Sequence, residues 1–340
     1  MDDITLSFCI TTRNRAVFIG TTLESLISQA TDEVEIVVLD AASTDGTAET
    51  VEGFARRFPR LRYIRQDTNQ GVDRDYDRTV ELARGKYCWM MSDDDILTAG
   101  AVAEVLGHCR KGYDLFAVNA EDRDAELREV IGGRRLPFLE DRGYKPSEAN
   151  RLFADVANHL SFIPGVIIRR DLWLSRDRKP YFGSLFVHVG VIFQDRLPGD
   201  ALVIARPLVA VRNANVSWAS RSFEIWMFKW PGLIWSFPGF PDEVKAAVCP
   251  REPWRGWKAL LTHRAMGSFS REEYRRWIAP RAASAGRKAM AWVIAAAPGH
   301  LVNVLALLYC VFFYGNNRIP RFNLSNSRFS IFAHRKRIAA

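Results

Sequence analysis

The first 110 residues alternate short apolar runs with segments of helical periodicity, and this alternation constrains the fold more than any other feature of the chain. It predicts strands over residues 6–10, 35–39, 61–64 and 86–91, and helices over 18–30, 47–58 and 72–84. Regular alternation of this kind is typical of a mainly parallel sheet that is covered by helices on both faces. We therefore predict an α/β fold with a Rossmann-like mixed, mainly parallel sheet, whose ligands bind beyond the carboxyl ends of the strands.

Polar clusters follow three of these predicted strands. The clusters are Thr11, Thr12, Arg13, Asn14 and Arg15, then Asp40 with the turn 41–47, then Ser92, Asp93, Asp94 and Asp95. Because the carboxyl ends of parallel strands meet at one edge of a sheet, we expect the clusters to lie together and to form a binding site.

The three consecutive carboxylates indicate a divalent cation. Adjacent carboxylates repel one another unless a cation or solvent relieves them, and hard oxygen ligands favour Mg²⁺ or Mn²⁺. In an extended segment Asp93 and Asp95 point to one side and Asp94 to the other, so we predict two metal ligands and one neighbouring carboxylate. The structural alternative is that residues 92–95 cap a helix that begins near Thr98.

Four motifs in this order resemble those of the family-2 glycosyltransferases with the A-type nucleotide-sugar fold. The motifs are residues 11–15, residues 38–47, residues 69–73 with 83–87, and residues 91–97. The Ser-Asp-Asp-Asp run at 92–95 is most similar to the abequosyltransferase-like branch. The resemblance is strong over residues 4–110 and weaker as far as residue 218.

This resemblance implies a nucleoside-diphosphate sugar donor and a Mn²⁺ or Mg²⁺ ion on its diphosphate. It assigns the donor pocket to Thr11, Arg13, Asn14, Arg15, Asp40, Asp73 and Asp94, and the metal to Asp93 and Asp95. Two departures from the family pattern leave the nucleotide base open: residues 11–14 replace the usual Pro-x-Tyr-Asn, and Ala41-Ala42 replaces a turn that contains Asn. A third is that residues 75–77 replace Ala-Arg-Asn, so the basic contact must come from elsewhere, with Arg74 and Arg78 as candidates.

Transfer to a hydroxyl also needs a base. By resemblance, inverting members carry an Asp well after the metal motif, but residues 183–190 contain none. We predict His188 as the catalytic base because imidazole titrates near neutrality, with Asp195 and Asp177 as the other candidates. A core histidine is the structural alternative.

Residues 212–218 resemble the closing segment of this branch. Arg212 is predicted to contact the donor diphosphate, and Trp218 to stack on the acceptor or to pack a lid over it. A solvated arginine and a packed tryptophan are the structural alternative.

The C-terminal third differs in charge and composition. Residues 251–340 carry 16 Lys and Arg against three Asp and Glu, a net +13, which leaves −5 for residues 1–250. Residues 289–314 hold no charged side chain, and Pro298 divides them into halves too short to cross a bilayer. Neighbouring aromatic and basic residues suit an anionic membrane surface. We predict a catalytic domain over 1–218 and a helical, aromatic-rich, membrane-docking and acceptor-binding region over 219–340. The alternatives for this region are a buried helical subdomain and a single span.

Together these features predict an enzyme at the cytoplasmic face of a membrane, monotopic or peripheral, that glycosylates a lipid-linked saccharide or a glycolipid. The start of the sequence is acidic rather than signal-like, and five sparse cysteines fit a reducing compartment. The alternatives are a nucleotidyltransferase, which should carry a glycine-rich loop where residues 11–15 have none, and a basic nucleic-acid-binding module. Apolar runs such as 301–313 disfavour the latter, so no nucleic-acid partner is expected.

Overall fold

The structure is a computed structural model that describes residues 4–215, 218–313 and 318–332, and these residues form two compact units. The first, here called the sheet unit, comprises the described residues of Met1–Arg123, Gly133–Arg212 and Ser236–Val248. The second, the helical unit, comprises those of Asp124–Gly132, Asn213–Trp235 and Cys249–Ala340. The functional boundary predicted at residue 218 stays a prediction. By contacts, the chain visits the helical unit at Asp124–Gly132, enters it again at Asn213 and returns to the sheet unit for Ser236–Val248.

The sheet unit is built on a mixed, mainly parallel sheet. The strands of the chain are β1 (Leu6–Thr12), β2 (Val34–Asp40), β3 (Leu61–Arg65), β4 (Tyr87–Met91), β5 (Ile96–Leu97), β6 (Leu115–Arg123), β7 (Val130–Gly132), β8 (Arg142–Tyr144), β9 (Val166–Arg169) and β10 (Ala201–Arg212). Their order is β3-β2-β1-β4-β9-β6-β10-β5, with β8 beside β10. Strands β1, β2, β3, β4, β6 and β10 run in one direction, and β5, β8 and β9 run against them. The predicted fold class is confirmed.

Helices follow most of these strands. They are α1 (Ala16–Ile27), α2 (Thr47–Arg57), α3 (Val72–Leu82), α4 (Ala101–Cys109), α5 (Ala149–Val156), α6 (Arg170–Ser175), α7 (Val187–Phe193), α8 (Ser222–Glu224), α9 (Trp230–Ser236), α10 (Asp242–Val248), α11 (Trp257–Met266), α12 (Arg271–Glu273), α13 (Ala285–Ala296), α14 (Gly299–Phe313) and α15 (Arg318–Ser325). Helices α1–α7 and α10 belong to the sheet unit.

The core of the sheet unit lies between the central strands and the helices packed on them. Every residue of β2 is buried, as expected for a strand covered on both faces. Phe8 of β1 stacks on Trp89 of β4 with ring centroids 5.1 Å apart. Gly85 lets the turn before β4 pass against β1, because a Cβ there would lie 2.8 Å from the backbone nitrogen of Ser7. Close packing of this kind fixes the relative positions of the strand ends.

The helical unit has a separate aromatic core. Phe223 stacks on Phe269 at 4.6 Å between ring centroids, and Phe228 stacks on Trp277 at 4.8 Å. Among the described residues, no single helix is long and apolar enough to cross a membrane. The pair α13 and α14 reaches that length and composition only together, and the two are bent by 94°.

Candidate active site

The three polar clusters lie at one edge of the sheet because the strands before them are neighbours. Strand β1 pairs in parallel with both β2 and β4, with Thr12 opposite Asp40 and Ile10 opposite Met91. The residues that follow β1, β2 and β4 therefore share the carboxyl edge. Residues 92–95 do not cap the next helix, since the short strand β5 intervenes and Gly100 occupies the N-cap position of α4.

The turns after β1 and β2 are fastened to each other by side chains. Asn14 donates its backbone N–H to Ser43 Oγ (2.9 Å) and accepts at Oδ1 from the N–H of Thr44 (2.8 Å). The backbone N–H of Arg15 donates to Thr47 Oγ1 (2.9 Å). Asn14 and Ala42 both have left-handed backbones, with φ of 55° and 61°, and the conformation costs an alanine about 1–2 kcal/mol. These bonds therefore hold a strained pair of turns in place. Thr11 is half-buried at the end of β1, and Arg13 is exposed.

Arg15 faces two of the three consecutive carboxylates. Its Nε lies 3.4 Å from Asp93 Oδ1, and its Nη2 lies 3.4 Å from Asp94 Oδ2. The guanidinium also lies 5.3 Å from the centroid of the Phe18 ring. Arg15 thus brings a positive charge to the edge where the carboxylates gather.

The third carboxylate, Asp95, joins the end of β10 to this edge. Asp95 Oδ1 accepts from the backbone N–H of Arg212 (2.8 Å), and Oδ2 accepts from the Ser92 hydroxyl (2.6 Å). The Arg212 side chain donates from Nε to the Asp94 carbonyl (3.0 Å), and its guanidinium lies 5.3 Å from the Phe18 centroid. Phe18 therefore contacts both arginines, and Asp95 positions the second.

Burial and repulsion from Asp94 make Asp93 and Asp95 difficult to ionise. Burial, together with the Asp94 charge, raises the pKa of Asp93 to about 7, although Arg15 opposes the shift. The same two causes raise the pKa of Asp95. A cation placed among them would restore the ionised forms, because opposite charge favours a carboxylate.

The donor set fits a hard divalent cation that takes only part of its coordination shell from the chain. Within the described ranges, no group of three or more His, Cys, Asp or Glu is arranged to hold a metal. Side chains of Asp93 and Asp94 keep 12% and 14% exposure, whereas both oxygens of Asp95 accept internal hydrogen bonds. Mg²⁺ is commonly held by one or two carboxylates and substrate phosphates. The geometry favours Asp93 and Asp94, and the ligand pair Asp93 and Asp95 stays a prediction.

Asp40 is also engaged inside the protein. It is fully buried, and its carboxylate accepts from the Ser43 backbone N–H (2.8 Å) and the Tyr63 hydroxyl (2.6 Å). Burial and the nearby Asp40 charge raise the pKa of Tyr63, so the phenol remains a donor at neutral pH. Asp40 therefore holds the turn after β2 and the Tyr63 side chain in place. Its predicted contact with the base or ribose stays a prediction.

Asp73 holds a loop rather than facing open solvent. It is buried at the start of α3, where Oδ2 accepts from the backbone N–H groups of Gly183 (2.8 Å) and Leu185 (2.9 Å). Its Oδ1 accepts from the N–H of Val187 (3.0 Å). This geometry assigns Asp73 to the loop before α7, and the donor contact predicted for it stays a prediction.

The structure places His188 in the core, which disagrees with a role as catalytic base. The side chain lies on α7 and is buried, and Nε2 donates to the Leu160 carbonyl (2.8 Å). Burial lowers the pKa of His188 to about 4. A ring without solvent contact cannot collect a proton from an acceptor hydroxyl, and the apolar residues around it account for this placement.

Asp195 is exposed and lies in the segment between α7 and the amino end of β10. It follows α7 and accepts from the backbone N–H of Arg196 (2.7 Å). Nearby, Gly199 donates its N–H to the carboxylate of Asp114, the residue that precedes the amino end of β6. Because β6 runs in the same direction as β4, Gly199 lies at the amino edge of the sheet. The base role of Asp195 stays a prediction.

A cavity of about 610 Å³ opens beside the carboxyl ends of β2 and β3. It is lined by Leu39, Ile64, Gln66, Gln70, Arg74, Asp75, Asp77, Arg78, Glu81, Asp177, Arg178, Lys179 and Phe182. The Arg74 guanidinium lies 4.6 Å from the centroid of Phe182, and Gln66 donates to Asp75 (2.9 Å). Asp177, the remaining base candidate, and both basic candidates of α3 border this space.

Residues 7–171 match the family model named Glycosyl transferase family 2, which covers the chain from β1 to the start of α6. Residues 7–171 therefore form a family-2 glycosyltransferase domain. The chain is 27% identical to the abequosyltransferase RfbV of Salmonella typhimurium over 230 residues, which is 64% of this chain and 69% of the relative. It is 26% identical to the GalNAc(5)-diNAcBac-PP-undecaprenol beta-1,3-glucosyltransferase of Campylobacter jejuni over 38% of this chain and 43% of the relative. The sequence resemblance is confirmed.

Solved structures confirm the A-type fold of this glycosyltransferase. S. aureus TarS in complex with UDP-GlcNAc superposes with a TM-score of 0.57 and 16% identity, over 98% of this chain and 92% of TarS. Mannosyltransferase PcManGT from Pyrobaculum calidifontis, in complex with GDP-Man and Mn²⁺, gives 0.54 and 15% over 95% and 85%. At these identities the likeness establishes the fold alone.

Some contacts at the site were not predicted from the sequence. Phe18, Tyr63 and Ser92 contact the predicted charged residues. Only Phe18 and Ser92 have a local signal in the sequence, since each lies three positions from its partner, Arg15 or Asp95.

Trp218 is exposed in the helical unit, where it contacts Trp226 edge to face (6.3 Å between ring centroids). Val216 and Ser217 lie outside the described residues.

Proposed function

We propose that this glycosyltransferase moves a sugar from a nucleoside-diphosphate donor to a hydroxyl of a lipid-linked saccharide or glycolipid, with inversion and with Mn²⁺ or Mg²⁺, in the synthesis of a surface polysaccharide or glycolipid. The observation that carries the proposal is the meeting of Asp93 and Asp94 with Arg15 and Arg212 at the carboxyl edge. Carboxylates that can share a cation, beside guanidinium groups that can bind phosphate, are the groups that a sugar diphosphate requires.

The acidic and the basic residues of the site have different proposed roles. Asp93 and Asp94 would hold the metal, which when bound acts as a Lewis acid on the leaving diphosphate. Arg15 and Arg212 would bind phosphate oxygens in the planar, forked geometry of guanidinium. Phe18 orients both guanidinium groups, and Asp95 fixes the backbone of Arg212.

The names of related proteins support the two substrate classes. TarS and PcManGT were solved with UDP-GlcNAc and with GDP-Man, both nucleoside-diphosphate sugars. The name of the Campylobacter jejuni relative specifies a PP-undecaprenol saccharide, which is a lipid-linked acceptor. We infer the same classes for this chain, with the individual sugar, base and acceptor left to the assay.

The test is a panel of nucleotide sugars, each assayed for Mn²⁺-dependent hydrolysis and for thermal stabilisation of the full chain. We expect one donor to be hydrolysed, and Asp93→Asn and Asp94→Asn each to lower the rate about 100-fold, as loss of roughly 3 kcal/mol of metal stabilisation would do. Asp32→Asn is the matched control, because Asp32 is exposed in the turn before β2 and pairs with Arg60 (2.8 Å). The anomer formed on transfer, read by NMR, tests inversion.

Two results would contradict this proposal. One is full Mn²⁺-dependent hydrolysis by both Asn variants, which would remove the carboxylates from the metal site. The other is that no nucleotide sugar stabilises the protein or is hydrolysed, which would contradict a nucleoside-diphosphate sugar as the donor.

A further inference from the structure

The two longest helices of the helical unit carry apolar side chains on their outer surface. On α14, Leu301, Leu305, Leu308 and Phe312 are exposed, with values of 56% for Leu305 and 76% for Phe312. Their spacing of four, three and four residues places them on one side of the helix. Trp292 and Val293 of α13 are exposed as well. We call these six side chains the apolar face.

The opposite side of α14 is anchored in the helical unit. This anchoring fixes the rotation of the helix and keeps the apolar face exposed. Asn303 is fully buried, and its amide nitrogen lies 3.1 Å from the carbonyls of Ala265 and Leu324. Cys310, two turns further on, packs with the same two residues. Hydrogen bonds to buried carbonyls resist rotation of the helix, because a rotated helix would leave them unpaired.

The geometry of the pair suits the surface of a bilayer better than its interior. At 1.5 Å per residue, α13 and α14 are each about 18–22 Å long, against a hydrocarbon core of about 30 Å. They meet at an angle of 94° near Pro298. Neither helix can cross alone, and the bend prevents them from crossing as one rod.

Basic side chains lie next to the apolar face. Lys288 is exposed one turn before Trp292 on α13, and the Arg271 guanidinium lies 5.9 Å from the centroid of the Trp292 ring. Arg287 is exposed beside Lys288. Glu272 and Glu273 follow Arg271 on α12, and the sequence contains no Asp or Glu from there to residue 332. Tryptophan with lysine and arginine next to an apolar surface matches the headgroup layer of an anionic membrane.

We propose that the apolar face of α13 and α14 docks on an anionic lipid bilayer, with its leucines and Phe312 among the upper acyl chains and with Arg271, Arg287 and Lys288 at the headgroups. This inference is independent of the proposed reaction, because none of its residues belongs to the sheet unit. It gives the membrane association predicted from the sequence a defined surface.

The test is flotation of the full chain with vesicles of phosphatidylglycerol and phosphatidylcholine in equal parts, compared with phosphatidylcholine alone. We expect binding to the mixed vesicles, reduced about 100-fold in the double variant Leu305→Glu/Phe312→Glu, which removes two apolar insertions. Arg287→Ser/Lys288→Ser should lose about tenfold or more, and only on the anionic vesicles. Leu139→Glu is the matched control, since Leu139 is 83% exposed in the sheet unit.

A second readout ties binding to the face itself. Brominated lipid should quench tryptophan fluorescence in the wild type, and Trp292→Phe should lose most of that quenching. Circular dichroism of each variant establishes that it is folded, and retained donor hydrolysis separates failure here from failure of the proposed reaction.

Three outcomes would overturn the proposal. The full chain does not float with anionic vesicles, or the Leu305→Glu/Phe312→Glu variant floats as well as the wild type. In the third, the protein dimerises in solution, the same variant abolishes the dimer, and no vesicle binds, which would make the face a contact between two copies. Equal flotation with phosphatidylcholine alone would overturn the proposed preference for anionic lipid.

Discussion

Replacement of Asp73 by asparagine should release the loop before α7. In the wild type the Asp73 carboxylate accepts from the backbone N–H groups of Gly183, Leu185 and Val187 at 2.8–3.0 Å. Asparagine has nearly the same shape but only one acceptor oxygen, so its amide group must face at least one of these donors. Leu185 also has a left-handed backbone with φ of 74°, which the hydrogen bonds hold in place.

The expected cost follows from these contacts. One buried N–H without a partner costs about 1–3 kcal/mol, and the remaining bonds lose their charge assistance, which roughly halves their strength. Relaxation of Leu185 would return about 1–2 kcal/mol, so the net loss of unfolding free energy should be about 3 kcal/mol.

Urea unfolding of Asp73→Asn, with amide exchange of residues 183–187, measures this effect. We expect a lower unfolding midpoint and about 100-fold faster exchange, which corresponds to roughly 3 kcal/mol. Asp67→Asn is the control, because Asp67 is exposed just before α3 and its change should stay within about 0.5 kcal/mol. Wild-type stability and exchange in Asp73→Asn, combined with weaker nucleotide binding, would refute the loop role and restore the donor contact predicted from the sequence.

Three further changes test other parts of the structure. The pKa of His188 is about 4 in the folded protein and about 6.5 when unfolded, so its stabilising effect is complete above pH 6.5 and is lost as the pH falls towards 4. Between pH 6.5 and pH 4, the unfolding free energy of the wild type should therefore fall by up to roughly 3 kcal/mol more than that of His188→Gln, as measured by urea unfolding. An equal fall in the two proteins would contradict this. Gly190→Ala places a Cβ 2.2 Å from Tyr181 Cγ, and thermal melting should show a loss of about 1–3 kcal/mol, whereas an unchanged melt would mean that the ring moves freely. Asn303→Leu leaves two buried carbonyls without their donor, so calorimetry should show about 2–4 kcal/mol less stability with donor hydrolysis retained; a lost reaction with normal stability would contradict the anchoring role.

Local sequence signals predicted the sheet and the edge where the charged groups meet. Apolar runs with β-branched residues located the four parallel strands, and helical periodicity located the helices between them. The rule that parallel strands end at one edge then brought residues 11–15, Asp40 and residues 92–95 together. These steps succeed because each depends on neighbours in the chain or on a general property of parallel sheets.

The partners of individual side chains could not be predicted in the same way. Asp73 is 110 to 114 residues away in sequence from the N–H groups that donate to it, and Asp95 is 117 residues from Arg212. A carboxylate in a sequence shows that a charge needs a partner, but not whether that partner is a metal, a guanidinium or a backbone N–H. His188 is different, since the seven buried residues of α7 carry a local apolar signal that favoured the core interpretation.

The charges at the carboxyl edge explain why Arg15 and the acidic run belong to one site. Three carboxylates meet two guanidinium groups there, so acidic groups exceed basic ones by one, and burial already opposes ionisation of Asp93. A diphosphate alone would add negative charge beside Asp93 and Asp94, and a divalent cation alone would find few ligands and a neighbouring Arg15. A cation and a diphosphate together would satisfy both sets of groups, because the cation would screen the carboxylates and the guanidinium groups could bind phosphate oxygens. The carboxylates and the guanidinium groups would each lack a partner without the other's ligand, which is why we propose a metal-bound nucleoside diphosphate for this edge.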